Sequence, residues 1–399
     1  MERFLALGLP TRKHEDWRYT DLTPLARGEY RPPETTREIA ESVIAPFTYV
    51  EESSVRIVFV DGRLSPRLSR LDDLPQGLVI EGYSPDREDP SPESCALREL
   101  TTAAAAEGIH IVVSPGTRLK APIHLLHLVG PQSRPALVAV DGRVELGEGA
   151  EATIIERWAG LDDTAESLVL SRTDMRLGAG ARLRHYRIQK DGRRSFHLAS
   201  SQIRQERSSS FRSTLLQVGA GTARQDLDVL QQGPGAETDL DGLYLVDGTR
   251  HADQRVLVRH LASQGRSTQR FKGIVDGRGT AVFNGRIHVE KGTVGNDARQ
   301  TNANLLLSDE AAADTRPQLE IHADDVKCSH GATIGQLDAD ALFYLRSRGL
   351  SEQRARNLLT WAFAAEIVDS IDIASLRERV GGFLAERAEC GSRSEETPR

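Results

Sequence analysis

The spacing of apolar positions divides the chain into three textures. Between residue 109 and about residue 334, short apolar and β-branched runs follow one another with turn residues between them, and hardly any helical periodicity interrupts them. The runs at 109–113, 123–129, 137–140, 152–158, 182–189, 211–217, 240–246, 255–261, 282–289 and 318–323 read as strands. So long a stretch of strand restricts the middle of the chain to a large barrel, a sandwich, a propeller or a solenoid. Before Gly108 the texture is mixed. Residues 12–22 predict a short helix closed by Pro24, residues 55–60 a strand turning at Asp61-Gly62, and residues 83–94, with Pro85, Pro90 and Pro92, a linker. The alanine-rich stretch 96–107 predicts a helix stopped at Gly108.

After Gly335 the period becomes helical. Asp338 is placed to cap a helix over 339–348 that ends at Gly349, and Ser351 to cap a second. Leu358, Leu359, Ala362, Phe363, Ile367 and Ile371 form one apolar face of that second helix. A third helix, about 373–389, carries Leu376, Val380, Phe383 and Leu384 and is weakened at Gly381-Gly382.

A loose internal repetition favours the solenoid. Gly147-Glu148-Gly149-Ala150 resembles Gly178-Ala179-Gly180-Ala181, and Gly219-Ala220-Gly221, Gly233-Pro234-Gly235 and Gly277-Arg278-Gly279 echo it. Glycine-x-glycine corners let the chain turn sharply between strands. Their irregular spacing suits a β-helix, whose coils bury inward residues on the coils above and below. Hairpin turns in a sandwich remain open on pattern alone.

Composition narrows the function classes. With 39% hydrophobic and 27% charged residues the chain is globular in type, and a net charge of −7 argues against a dedicated nucleic-acid binder. No apolar run approaches a membrane span and no secretory signal opens the chain, so no membrane association and a cytoplasmic location are expected. The cysteines at 95, 328 and 390 are scattered, which supports neither a disulfide framework nor a zinc ribbon. P-loop, nucleophile-elbow and His-Glu-x-x-His motifs are absent. His124 and His127, three apart in a strand, point to opposite faces and do not share a metal. Cys328 and His330 differ, because positions i and i+2 of a strand project from one face. A thiol beside an imidazole can have its pKa lowered, bind a soft or borderline metal, or hold a labile sulfur species. The bland alternative is a buried structural cysteine beside a hydrogen-bonded histidine.

Three groups of residues then carry a resemblance. Pro10-Thr11-Arg12-Lys13-His14-Glu15-Asp16-Trp17-Arg18-Tyr19-Thr20-Asp21-Leu22 resembles the N-terminal signature of SufD-type proteins of the SUF iron–sulfur cluster assembly system. Asn284-Gly285-Arg286-Ile287-His288-Val289 and Arg299-Gln300-Thr301-Asn302 resemble later coils of the SufB/SufD family. Densest is Ala323-Asp324-Asp325-Val326-Lys327-Cys328-Ser329-His330-Gly331, which is similar to the SufD branch; SufB carries Glu-His-Glu there.

The resemblance implies a mainly β fold: a right-handed parallel β-helix core (109–335), an N-terminal mixed or helical region (1–108) and a C-terminal helical domain (336–390); the polar residues after Cys390 add the expectation of a disordered tail (391–399). It implies a non-enzymatic scaffold that binds no nucleotide itself. Its C-terminal helices would dock a SufC-type ABC ATPase, and its β-helix would pair with a SufB paralogue or with a second copy as a homodimer. His330 and Cys328 would be cluster-site residues for a transient iron–sulfur cluster at the complex interface. Leu342, Phe343, Leu345 and Phe363 are the ATPase-docking candidates, with local core packing as their alternative. Two other readings are a polysaccharide lyase, which could conscript Asp239, Asp241, Asp324 and Asp325, and an inert dimerisation module.

Overall fold

A computed structural model describes residues 2–33, 37–49, 55–85 and 96–390. Cys95, most of the linker at 83–94 and the tail 391–399 lie outside the described residues. Strand β1 (Arg56–Val60) pairs antiparallel with β2 (Arg63–Leu64), and β3 (Leu78–Tyr83) with β4 (Gly108–Val113). From there on strands alternate between two parallel sheets. One stacks β5 (Ile123–Val129), β7 (Glu151–Gly160), β9 (Arg182–Lys190), β11 (Ser210–Gln217), β13 (Glu237–Val246), β15 (Arg266–Val275), β17 (Asn296–Leu306) and β19 (Val326–Gly335). The other continues from β4 through β6 (Ala136–Leu146), β8 (Ser167–Leu177), β10 (Phe196–Gln205), β12 (Thr222–Gln231), β14 (His251–His260), β16 (Thr280–Val289) and β18 (Ala312–Ile321). Thr222 thus lies between Phe196 of the coil before and His251 of the coil after. The result is a parallel β-solenoid of about 8 turns.

Period-two alternation sets the two faces of each sheet. In β13, Leu240, Tyr244 and Val246 enter the core while Asp239 and Asp241 face outward to arginines. The glycine-x-glycine signature is the corner between sheets: Gly180 has φ of +67°, and a Cβ on Gly178 would lie 2.9 Å from the backbone nitrogen of Glu148 one coil earlier.

Strands β8, β10, β12, β15 and β17 are not among the apolar runs named above. Their inward faces carry Ser171, His197, Gln225, Gln269 and Gln300, all buried. These polar side chains find partners within the solenoid: Arg187 donates to Ser171 Oγ at 3.1 Å, and Gln300 Nε2 to Gln269 Oε1 at 2.7 Å.

Both outer faces are covered. Helices α6 (Glu352–Val368) and α7 (Ala374–Cys390) pack Ala364, Ile367, Val368, Leu376 and Leu384 onto Ile188, Leu216, Leu243 and Ile274. The buried face of α6 matches the expected one in part: Ile367 and Ile371 are buried, joined by Ala355, Ala364 and Val368, whereas Leu358 is 46% exposed and Ala362 is exposed. Apolar residues lie all round residues 358–364, so the spacing did not define a unique stripe. Asp338 caps α5 (Ala339–Ser347) by accepting from the nitrogens of Asp340 and Ala341, and Ser351 caps α6. Helix α7 runs through Gly381-Gly382 without a break.

The opposite face is covered by the N-terminal region. Helices α1 (Glu2–Leu7), α2 (Thr23–Arg27), α3 (Glu41–Ile44) and α4 (Ala96–Ala104) are short, and α3 instead packs Ile44 against Val58, Val60 and Leu126 of the sheet that α6 and α7 cover. The expected helix over 12–22 is instead an irregular strap with a 3₁₀ turn at Glu15–Trp17, and Pro24 sits in the first turn of α2 rather than ending a helix. Tertiary contacts override local propensity here. Buried Arg224 stacks its guanidinium 3.7 Å from the Trp17 ring centroid and donates to the Asp16 carbonyl, while Thr20 donates to Asp253. Glu15 reaches Arg316 of β18 at 2.8 Å. Gly108 opens β4 rather than stopping α4.

Candidate functional site

Strand β18 pairs only with β16, and β19 only with β17, so among the described residues each leaves one edge without a strand. The consequences reach inside the solenoid. Ala298 and Gln300, inward and buried, lie in register with Cys328 and His330. Parallel strands keep neighbouring side chains on one face, so Cys328 and His330 also point inward. With no further coil above them, Cys328 is only half-buried, against Ile287, Val289 and Ala298, and His330 is exposed. Ile334, on the same face, is 47% exposed. An uncovered core end beside two open strand edges is a surface natural proteins normally cover or blunt.

Period-two reasoning therefore placed the thiol and the imidazole on one face. The electrostatics differ from the expectation that the imidazole lowers the thiol pKa. Burial pushes the Cys328 thiol up, the nearby Asp297 carboxylate adds to the rise, and the Ala298 N–H opposes it only partly.

His124 and His127 occupy opposite faces of β5 as expected. His124 packs edge-on to Tyr49, and His127 stacks between Phe59 at 5.1 Å and Trp158 at 3.9 Å. Burial lowers both to a pKa of about 3.

The four docking candidates separate. Phe343 is 73% exposed on α5, next to Tyr344 at 56%, and Leu342 and Leu345 are half-buried beside them. Phe363 instead fastens α6 to the solenoid: the Lys272 ammonium lies 4.8 Å from its ring and donates to its carbonyl at 2.9 Å. Tyr344 was missed by sequence reasoning although it adjoins Phe343 in the same helix.

The carboxylates of a lyase-type site do not converge. Asp241 is engaged by Arg270 through two 2.8 Å bonds and Asp239 by Arg212 at 3.4 Å, while Asp324 and Asp325 stand in the loop before β19. Among the described residues, no three His, Cys, Asp or Glu side chains are arranged to hold a metal ion. Cys328 and His330 are two side chains of ligand type at an open end, half the number that a four-coordinate iron or zinc site takes.

Comparison with known proteins agrees with this geometry. The family described as SUF system FeS cluster assembly, SufBD core domain, matches residues 133–363. The iron–sulfur cluster assembly protein SufD of Escherichia coli is 33% identical over 398 residues, covering 98% of this chain and 92% of that protein. The SufBD family protein slr0076 of Synechocystis is also 33% identical, covering 94% and 86%. The chloroplastic protein ABCI7 of Arabidopsis thaliana is 28% identical, covering 95% and 82%.

Proposed function

Because this chain belongs to the SufB/SufD family of the SUF iron–sulfur cluster assembly system, we propose that it is a non-enzymatic scaffold subunit whose open solenoid end is completed by a partner. The observation that carries the reading is the uncovered last coil, where Cys328 and His330 face inward with no coil above them. A second solenoid docking its own last strands there would extend both sheets and enclose the two side chains in a shared core. The partner is a SufB-type paralogue or a second copy of this chain. The iron–sulfur cluster is the cargo, assembled on ligands from both subunits and then passed on.

Helix α5 follows β19 after three residues and presents Phe343 and Tyr344 to solvent. This patch is the proposed contact for a SufC-type ATPase, which would supply the nucleotide chemistry this chain lacks. Leu342 and Leu345 are half-buried in the same helix, and Phe363 fastens α6 to the solenoid through Lys272.

Co-expression with the SufB- and SufC-type proteins of the same genome tests the reading. The assembly mass and the visible absorbance of the cluster are measured for the wild type and for His330→Ala. The scaffold reading expects an unchanged mass and a reduced cluster yield. An unchanged yield in both His330→Ala and Cys328→Ala would instead favour an inert dimerisation module.

A further inference from the structure

Gln300 stands out among the inward amides of the last coils. It is 1% exposed, and its Nε2 donates to Gln269 Oε1 at 2.7 Å, yet its Oε1 is buried without a hydrogen-bond partner. Its neighbours along the strand are satisfied: Asn302 Nδ2 donates to the Tyr244 hydroxyl at 2.9 Å, and Asn304 Nδ2 to Asn302 Oδ1 at 2.8 Å. Gln231 and Gln254 also have an unpaired oxygen, but they lie in coils covered on both sides. Gln300 lies directly beneath the last strand, in register with His330.

The surroundings are built to hold this side chain. A Cβ on Gly285, across the core in β16, would lie 2.3 Å from Gln300 Nε2. Only glycine leaves that space, which links the Asn284-Gly285-Arg286 and Arg299-Gln300-Thr301-Asn302 motifs physically. Gln269, fully buried one coil below, anchors the other end of the carboxamide.

We propose that Gln300 is a positioning residue for His330, its free Oε1 accepting a ring N–H when a partner encloses the open end. A neutral imidazole has one donor nitrogen and one acceptor nitrogen. Donation to Gln300 fixes which nitrogen carries the proton and aims the other lone pair at the cargo, as outer-shell acceptors do for metal-binding histidines. The column Gln269–Gln300–His330 transmits the order of the closed coils to a side chain on the open one.

The inference rests on His330 serving the cluster, and the test separates the two. In the co-expressed assembly, reconstituted with Fe²⁺ and sulfide, the cluster yield per assembly is measured for Gln300→Met, Gln300→Glu, His330→Ala and the double variant Gln300→Met/His330→Ala. Gln300→Met keeps the length and loses the acceptor, so its yield is expected to fall about tenfold, the low end for loss of an outer-shell partner. Gln300→Glu keeps an acceptor and can be held once the Gln269 carboxamide turns its unpaired Nε2 towards it to donate, so it is expected to recover most of the yield. The double variant should fall no further than His330→Ala. A wild-type yield in Gln300→Met, or a Gln300→Glu yield as low as that of Gln300→Met, overturns the positioning role while leaving His330 in place. A wild-type yield in His330→Ala removes the site reading and this inference with it. Should Gln300→Met fail to fold, ¹⁵N-histidine spectra of the unmutated assembly decide: one neutral tautomer at His330 is expected, and a mixture of both contradicts the proposal.

Discussion

Mild acid should destabilise this solenoid through histidines sealed inside it. His124 and His127 are held to a pKa of about 3 and His260 to about 4, each chiefly by burial. In the unfolded chain each returns to about 6.5. Below that value the unfolded state takes up protons that the folded state refuses. The stability these residues allow is therefore complete above about pH 6.5 and is lost as pH falls towards their folded values. At pH 5 the unfolded form gains about 1.5 pKa units of proton binding, or about 2 kcal/mol per histidine and about 6 kcal/mol for the three. That is comparable to the whole stability of many domains.

His251, also lowered chiefly by burial, adds to this window, and the carboxylates do not reproduce it. Glu156, lowered by Arg187 and His185 against the opposing effect of its burial, and Asp191, lowered by His197, lose their contributions only at more acid pH. Asp61 and Asp141, raised by burial, bind protons more readily when folded and act in the opposite sense.

His127→Leu isolates one member. Leucine is close in volume, and the His127 Nδ1 has no hydrogen-bond partner to leave stranded. Urea unfolding followed by the fluorescence of Trp158, which stacks on residue 127, should show the variant losing about 2 kcal/mol less than wild type between pH 7.5 and 5.0. Equal losses in the two proteins would refute the reasoning.

Three further outcomes are expected. Arg224→Met should cost about 3–5 kcal/mol, because Arg224 and Asp253 are both buried and 2.6 Å apart, and it should free the Trp17 strap for faster tryptic cleavage at Arg12 and Arg18. Gly285→Ala should destabilise by about 1–3 kcal/mol, read from the urea midpoint, since its methyl group would meet the Gln300 carboxamide. Phe343→Asp should abolish co-elution with the ATPase subunit while leaving the melting temperature unchanged, because Phe343 is 73% exposed and contributes little to the core.

Much of this architecture could be read from the sequence where inward residues are apolar. Strands β4, β5, β7, β11, β13 and β16 alternate clearly enough to be found. Strands such as β12, with Arg224, Gln225, Asp226 and Asp228, do not, because this solenoid fills part of its interior with stacked amides and its exterior with ion pairs. The N-terminal strap was misread for a related reason. Its shape follows from Arg224 and Asp253, more than 200 residues away, which local propensity cannot register. The candidate site was the reverse case: period two alone put Cys328 and His330 on one face. That this face points inward depends on Ala298 and Gln300 in the preceding coil. The partner amide Gln300 and its housing at Gly285 required the register of two sheets, which no single segment contains.

On the proposed function, the last coil is an interface. Amide hydrogen exchange across Ala312–Ile321 and Val326–Gly335, in the chain alone and in the co-expressed assembly, tests it most directly. The unpaired edges should exchange quickly in the isolated chain and become strongly protected in the assembly, while Glu237–Val246 in the middle of the solenoid stays protected in both. An assembly of correct mass in which those two strands exchange as fast as in the free chain would contradict the account.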